Sequence, residues 1–287
     1  AIKDIGGFHF VCIPTMEESV KRLRSFKDSI NKPFAIMFPD IETIRKYCYV
    51  SPAEEKLLRS NARPIVILSK KEAADEFAPN VLRGSNHIGA ILPFDPLQII
   101  LSNEIGPLVI TSGNKSGEPI IIDDMDMIQN LPRVEGADIT TASDTDLSAV
   151  AFADGTLERE ESSYVGKDEI NEDEEIIDFM LTNTREILAP LDDSVAQIAR
   201  IHVGNRKRRL IQIVRRARGY VPEPVVLDAE LPKDTFAAGT DYQSSFALGK
   251  KNIVYLSEYY GNMTNSAVNE VREKAIQRMK NLLRVKP

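Results

Sequence analysis

Tryptophan is absent from the 287 residues, histidine occurs three times and cysteine twice. The histidines (His9, His87, His202) are scattered and no Cys-x-x-Cys occurs, so no zinc signature is present and no protein-held metal is expected. Cys12 and Cys48 sit among apolar neighbours (FHFVCIP, IRKYCYV), a setting for buried free thiols rather than a disulfide. No apolar run nears the ~20 residues of a membrane span and no signal peptide is seen, so a cytoplasmic location without membrane contact is expected. Positive charge is also short: 36 basic against 43 acidic side chains, net −7. The chain as a whole is no polycation, and any site for polyphosphate or nucleic acid must be a local patch. The first residue is not Met and a strand-like segment follows at once, so a fragment of a longer polypeptide is expected.

What is present is an ordinary globular composition, 43% hydrophobic and 28% charged, enough for one large or two modest domains. Strand-like and helix-like stretches alternate. Ile5–Ile13 reads as a strand beginning at a glycine pair. Thr15 opens a helix whose last turn carries Arg22, Arg24 and Lys27. Strands follow at Phe34–Phe38, Ile65–Leu68 and Ile88–Leu92. Helices begin at Asp40, at Ser51-Pro52 and near Leu97. An apolar run, Leu108–Ile110, ends in Thr111-Ser112-Gly113-Asn114, and a helix near Asp124–Leu131 closes the series. The class is α/β.

At Arg133 the texture changes. Arg133–Glu175 holds fourteen acidic and three basic residues and reads as an exposed excursion, with Ala149–Ala153 as one strand of a hairpin. Structure resumes at Ile176–Leu181, and Val195–Val203 with Arg209–Val214 reads as a strand pair. Pro222-Glu223-Pro224 marks a linker. The tail reads as strands Phe236–Gly239, Ser245–Leu248 and Ile253–Leu256, then a helix Ser266–Leu283. The expected units are 1–131 with 177–224, an acidic insertion at 132–176, and a separate segment at 225–287.

Ligands of open α/β sheets collect at the carboxyl ends of strands, where the Ser112–Gly117 turn lies. Its residues suit either a polar turn or a binding loop. Lys27 and Lys32 suit phosphate oxygens or open solvent. Arg215, Arg216 and Arg218 alternate at a strand end, where some can face a cavity and others form surface ion pairs. Asp192 and Asp193 fit a Mg²⁺ site or a turn and cap. His9 fits a core position or a base. The basic turn Arg206–Arg209 reads as a hairpin tip or a nucleic-acid contact. Ser112 has no His/Asp partner pattern and is not read as a hydrolase nucleophile.

Seven of these segments occur in one family's order: IGGFHFVC, VKRLRSFKDSINKPFAIM, ARPIVIL, IGAILPFDPL, PLVITSGNKSGEPI, LDDSVAQI and RRARGYVPEPV. Together they resemble the YrdC-like domain of the HypF carbamoyltransferases. The tail from Thr235 to Asn265 resembles the opening of that family's next, kinase-like ASKHA-type domain. The resemblance implies a twisted mixed sheet around a basic concave cavity. It implies ATP-dependent formation of carbamoyl-adenylate from carbamoyl phosphate or carbamate, with Mg²⁺, in hydrogenase maturation, and a HypE-like acceptor protein. Related threonylcarbamoyl-AMP synthases, which act in tRNA modification, and a non-catalytic module holding nucleotide or double-stranded RNA are the alternatives.

Carried over residue by residue, the resemblance gives Lys27 and Ser112 as catalytic. It assigns Lys27, Lys32, Ser112, Asn114, Ser194, Arg216 and Arg218 to ATP and its phosphates, and Gly6, Gly7 and His9 to the acyl end. The family's Ser-x-Asn stands intact at Ser112 and Asn114. Ser29 occupies the place of an expected Arg, Gln98 that of a His, and Asn183 that of another His. Ile13-Pro14, Tyr242-Gln243 and Asn262-Met263 also depart from the family pattern.

Overall fold

The computed structural model describes residues 1–27, 32–130, 177–204, 206–241, 244–264 and 266–284. The acidic stretch, its expected strand Ala149–Ala153, Ser29 and Tyr242-Gln243 lie outside the described residues. The strands of the first unit are β1 (Ile2–Lys3), β2 (Phe8–Cys12), β3 (Ala35–Met37), β4 (Cys48–Tyr49), β5 (Ile65–Lys70), β6 (His87–Ile91), β7 (Leu108–Ser112), β8 (Val195–Val203) and β9 (Arg206–Arg215). Its helices are α1 (Glu17–Lys27), α2 (Ile41–Tyr47), α3 (Pro52–Leu58), α4 (Pro79–Leu82), α5 (Pro96–Ile105) and α6 (Asp124–Asn130). The second unit has β10 (Val225–Val226), β11 (Thr235–Ala237), β12 (Ala247–Lys250), β13 (Ile253–Leu256) and α7 (Ser266–Leu283).

The expected α/β class is borne out. One sheet runs β1-β2-β7-β3-β6-β5-β8-β9, with β4 added on β5. It is mixed: β3 pairs β6 and β5 pairs β8 in parallel, and the other pairings are antiparallel. Successive residues of a strand face opposite sides, and β3 shows the consequence. Ile36 joins the large cluster with Phe8, Phe38, Ile44, Leu58 and Val66. Met37 joins the opposite cluster with Ile91, Leu108 and Ile110, against Phe94 and Leu101. A strand buried on both faces reads as a continuous apolar run, which is why Phe34–Phe38 and Leu108–Ile110 stand out in the sequence.

Local chemistry sets the element ends. The Asp40 carboxylate accepts from the Thr43 N–H and starts α2. Ser51 and Glu54 form a reciprocal capping box on α3, with Pro52 in its first turn. The strand expected from Ile5 is β2, which begins at Phe8. Gly7 has φ +148 and its carbonyl accepts from Asp4 N–H at 2.9 Å, so the glycine pair makes a bend before the strand. The second sheet, in the order β10-β13-β12-β11, is antiparallel throughout. It packs with α7 through Phe246, Leu248, Tyr260, Val268 and Ile276. β12 starts two residues later than the sequence suggests, because Phe246 N–H is taken by the Ser257 hydroxyl and Ser244 N–H by the Gly261 carbonyl.

Ile36 lies on a central strand and has no solvent exposure. Ile36→Ala is expected to lower unfolding stability by about 2–5 kcal/mol in urea titrations. Ser51→Ala removes one cap and is expected to cost about 1 kcal/mol in the same assay.

Candidate nucleotide site and its buried charge chain

α1 ends where β7 ends, and Lys27 joins the two. Its ammonium donates to Ser112 O (2.7 Å), Asn114 O (2.7 Å) and Asn114 Oδ1 (2.9 Å), with Ser112 Oγ at 3.4 Å. Three good acceptors match the three N–H donors of a lysine. Asn114 in turn donates from Nδ2 to Glu118 O, which closes the 112–118 loop on itself. Burial, with Lys32 and Arg215 nearby, lowers the Lys27 pKa to about 8, although Asp192 and Glu118 counteract it.

Lys32 stands near the same place. The Arg24 guanidinium holds the Lys32 carbonyl at 2.6 Å and lies 3.6 Å over the Phe34 ring. Lys32 keeps access to solvent but is crowded by protein atoms. That crowding, then Arg215, lowers its ammonium pKa. Arg215 Nη1 donates to Asp192 Oδ2 at 2.6 Å and Nε to Asp193 O at 2.7 Å. Asp192, the ion-pair partner of Arg215, also opposes the lowering of both lysine pKa values.

A second chain of charges runs beneath. Arg218 Nε donates to Asp193 Oδ1 at 2.7 Å, its Nη atoms donate to Ala62 O and Arg63 O, and its guanidinium lies 3.4 Å over Phe94. Asp193 Oδ2 is 3.3 Å from His9 Nε2, and His9 Nδ1 is 3.3 Å from Asp4 Oδ2. Gln98 Nε2 donates to the same Asp4 oxygen, and Phe94 N–H donates to Gln98 Oε1. Every member is buried. For His9, burial favours the neutral ring, but Asp193, Asp4 and Asp192 outweigh it and raise the pKa. Burial pushes the Asp4 carboxyl up to about 7, with His9 opposing. Asp193 is held well below the usual carboxylate range, because Arg218 and His9 together outweigh its burial.

The sequence-proposed residues therefore fall into groups. Lys27, Ser112 and Asn114 meet at the loop, and Lys32 is close enough to lower the Lys27 pKa. Arg218 is committed to the inner chain. Arg216 turns to the linker and donates from Nη2 to Glu223 O at 2.6 Å. The Ser194 hydroxyl is fully buried, donating to Arg218 O and accepting from Ala217 N–H, both at 2.8 Å. His9 sits inside the charge chain. The two glycines meet neighbouring chain: a Cβ on Gly6 would lie 2.1 Å from Leu191 O, and one on Gly7 2.7 Å from the Ile120 side chain.

Arg215, rather than its two neighbours, faces the lysines, and Asp4 with Gln98 was not singled out as a pair. The legible signal was the tandem Asp192-Asp193. Consecutive residues project to opposite sides, so one aspartate meets Arg215 and the other Arg218. Among the described residues no group of three or more His, Cys, Asp or Glu side chains is placed to hold a metal ion. None of their helices is long and apolar enough to cross a membrane.

Between about pH 4 and about pH 7 folded Asp4 binds more protons than in the unfolded chain, and His9, its pKa raised, does so above the ordinary imidazole value, so the stability these two groups contribute falls as pH rises. Asp193 acts oppositely: its contribution is complete above about pH 4 and is lost only as pH falls. The buried Ala1 ammonium, lowered to about 5, acts oppositely between about pH 5 and about pH 8, so the Asp4 contribution is read as a difference. From about pH 5 to about pH 7 the parent's thermal midpoint is expected to fall by several degrees relative to that of Asp4→Asn, which keeps an acceptor for Gln98. A difference that stays constant or grows over that range would contradict the assignment.

Comparison with known proteins shows the family. The Sua5/YciO/YrdC family model, described as telomere recombination, matches residues 1–146, and the HypF Kae1-like domain model matches residues 230–287. Carbamoyltransferase HypF of Synechocystis sp. is 31% identical over 288 residues, covering 100% of this chain and 31% of the relative. Carbamoyltransferase HypF of Rhizobium leguminosarum bv. viciae is 29% identical over 295 residues, covering 100% of this chain and 32% of the relative. The chain thus spans about a third of the length of these relatives. A crystal structure of full-length HypF in its phosphate- and nucleotide-bound form superposes with TM-score 0.77 at 33% identity, over 100% of this chain and 31% of that one. With a YrdC-type sheet followed by a segment that matches the HypF Kae1-like model, and similarity to the HypF carbamoyltransferases running through both, the chain belongs to the Sua5/YciO/YrdC family.

Proposed function

We propose that this chain carries the ATP-dependent step of a HypF-like carbamoyltransferase, forming carbamoyl-adenylate from carbamate and ATP. One observation carries the reading: Lys27, which holds the strand-end loop, Lys32 and Arg215 all interact with one carboxylate, Asp192. In the reaction a carbamate oxygen attacks the α-phosphorus, a new P–O bond forms, and the bond to pyrophosphate breaks. The protein's task is to gather and orient charge, with little covalent work. Lys32 and Arg215 meet the phosphate oxygens, Arg215 with a planar fork suited to two contacts. Lys27 holds the 112–118 loop so that its Ser112 hydroxyl and backbone are already oriented when the nucleotide arrives.

Mg²⁺ enters on this reading as the nucleotide's counter-ion. Asp192 and Asp193 are each in an arginine ion pair, so this pair is not spare to hold the metal. Carbamoyl phosphate as carbamate source, a HypE-like acceptor and a place in hydrogenase maturation follow from the kinship with HypF. The Kae1-like segment favours this over a threonylcarbamoyl-AMP synthase. A second reading, an RNA-holding module, draws on the exposed Arg206–Arg209 at the start of β9.

Calorimetric titration of ATP–Mg²⁺ decides first. Micromolar-range binding is expected, weakened about ten- to a hundredfold in Lys32→Ala and Arg215→Ala, the cost of one charge-assisted contact. Carbamate-dependent pyrophosphate release should follow. No binding heat, together with RNA affinity that falls steeply with salt, would transfer the assignment to the RNA reading.

A further inference from the structure

The 112–118 loop is gripped from two sides. At its start, Gly113 N–H donates to Phe8 O at 2.6 Å, and a Cβ at Gly113 would come 2.7 Å from that oxygen. At its far end the grip comes from the second unit. Asn262 N–H donates to Gly117 O at 3.0 Å. Gly261 lies so close that a Cβ there would be 2.4 Å from Gly117 O. Both glycines adopt positive φ, +86 at Gly117 and +98 at Gly261, which L side chains resist.

The gripping side is itself rigid. Gly261 O accepts from Ser244 N–H at 2.8 Å, and the adjacent Tyr260 N–H donates to Ser244 O at 2.9 Å. Tyr260 is buried and stacked on Phe246, with ring centroids 6.0 Å apart and planes 7° apart. Gly261 is thus fastened to the core of the Kae1-like segment. On the other side, Gly117 precedes Glu118, whose carbonyl accepts from Asn114, whose oxygens accept from Lys27. A continuous path of hydrogen bonds links the second unit to the lysine cage.

We infer that Gly261 and Asn262 are positioning residues: the Kae1-like segment holds the Ser112–Glu118 loop, and through it the Lys27 cage, in the conformation that receives the nucleotide. The functional half of this rests on the nucleotide reading above, and the structural half does not. An isolated loop of this length would have to be ordered by the ligand, at a cost to affinity. The second unit supplies that ordering in advance.

The test compares Gly261→Ala with Gly249→Ala in this chain. Gly249 lies in β12 of the second unit, where a Cβ would meet the Leu231 side chain at 2.4 Å, and it makes no such approach to the loop or to Ser244. Hydrogen-exchange mass spectrometry of peptides covering residues 108–121, and ATP–Mg²⁺ titration, are read for both. Gly261→Ala is expected to speed exchange of the loop amides about tenfold or more and to weaken ATP comparably. Gly249→Ala should loosen the second unit while leaving loop exchange and ATP affinity near the parent's. Unchanged loop exchange in a folded Gly261→Ala chain overturns the inference, as does equal loosening by Gly249→Ala. If Gly261→Ala does not fold, native-state exchange of the parent in low urea decides. Loop amides opening together with those of Ser244, Ser257 and Tyr260 support the latch, and opening independently of them overturns it. If the parent fails to bind ATP, the nucleotide reading falls while exchange still judges the latch.

Discussion

The elements near the candidate site are joined by an ionic chain buried from solvent. Gln98, Asp4, His9, Asp193 and Arg218 come from α5, the bend before β2, β2 itself, the approach to β8 and the exit from β9. A charge in such surroundings is tolerated only when paired and hydrogen-bonded. Removing one member would leave its neighbour uncompensated, so the chain acts as a joint requirement on five segments. Two cationic and two acidic groups alternate along it, and Phe94 covers the guanidinium at its end.

Two electrostatic layers result, separated by the Asp192–Asp193 peptide. The inner layer balances its charges and serves the fold. The outer layer, with Lys27, Lys32 and Arg215 against Asp192, leaves an excess of positive charge near solvent. This reconciles an acidic protein, net −7, with the site proposed for a polyanion. Burial of Lys27 has a cost, visible in its lowered pKa, and the loop's carbonyls offset it. A loop that solvates a buried ammonium is also a loop whose shape that ammonium dictates.

The second unit contributes a small sheet, one long helix and a rigid segment, Tyr260–Asn262, that reaches the loop. A four-stranded sheet of short strands needs packing to persist, and α7 provides it through Val268 and Ile276. The same core gives the Gly261 carbonyl and the Asn262 N–H fixed positions. The 112–118 loop therefore sits between two cores, tied to β2 by Gly113 and to the second unit by Gly117.

Much of this was legible residue by residue. Apolar runs marked β3, β6 and β7 because both faces of the sheet are covered, and α7 was readable over its whole length from its polar and apolar spacing. Asp40 and Ser51 announced their helices because capping is a contact between near neighbours. The short β1, β4 and β10 were not legible, since two residues carry no period and exist only through their partners. Ser112-x-Asn114 pointed to the loop. Which arginine would face it depended on a strand's facing, which a one-residue shift reverses. By itself the sequence determined the α/β class, the family and the loop's chemistry, because these rest on local pattern and residue type. Only the tertiary structure decided that Arg215 joins the lysines, that Arg218, Ser194 and His9 belong to the interior, and that Gly261 grips Gly117. Those outcomes depend on distances between residues far apart in the chain, and burial there fixes which charge pairs with which.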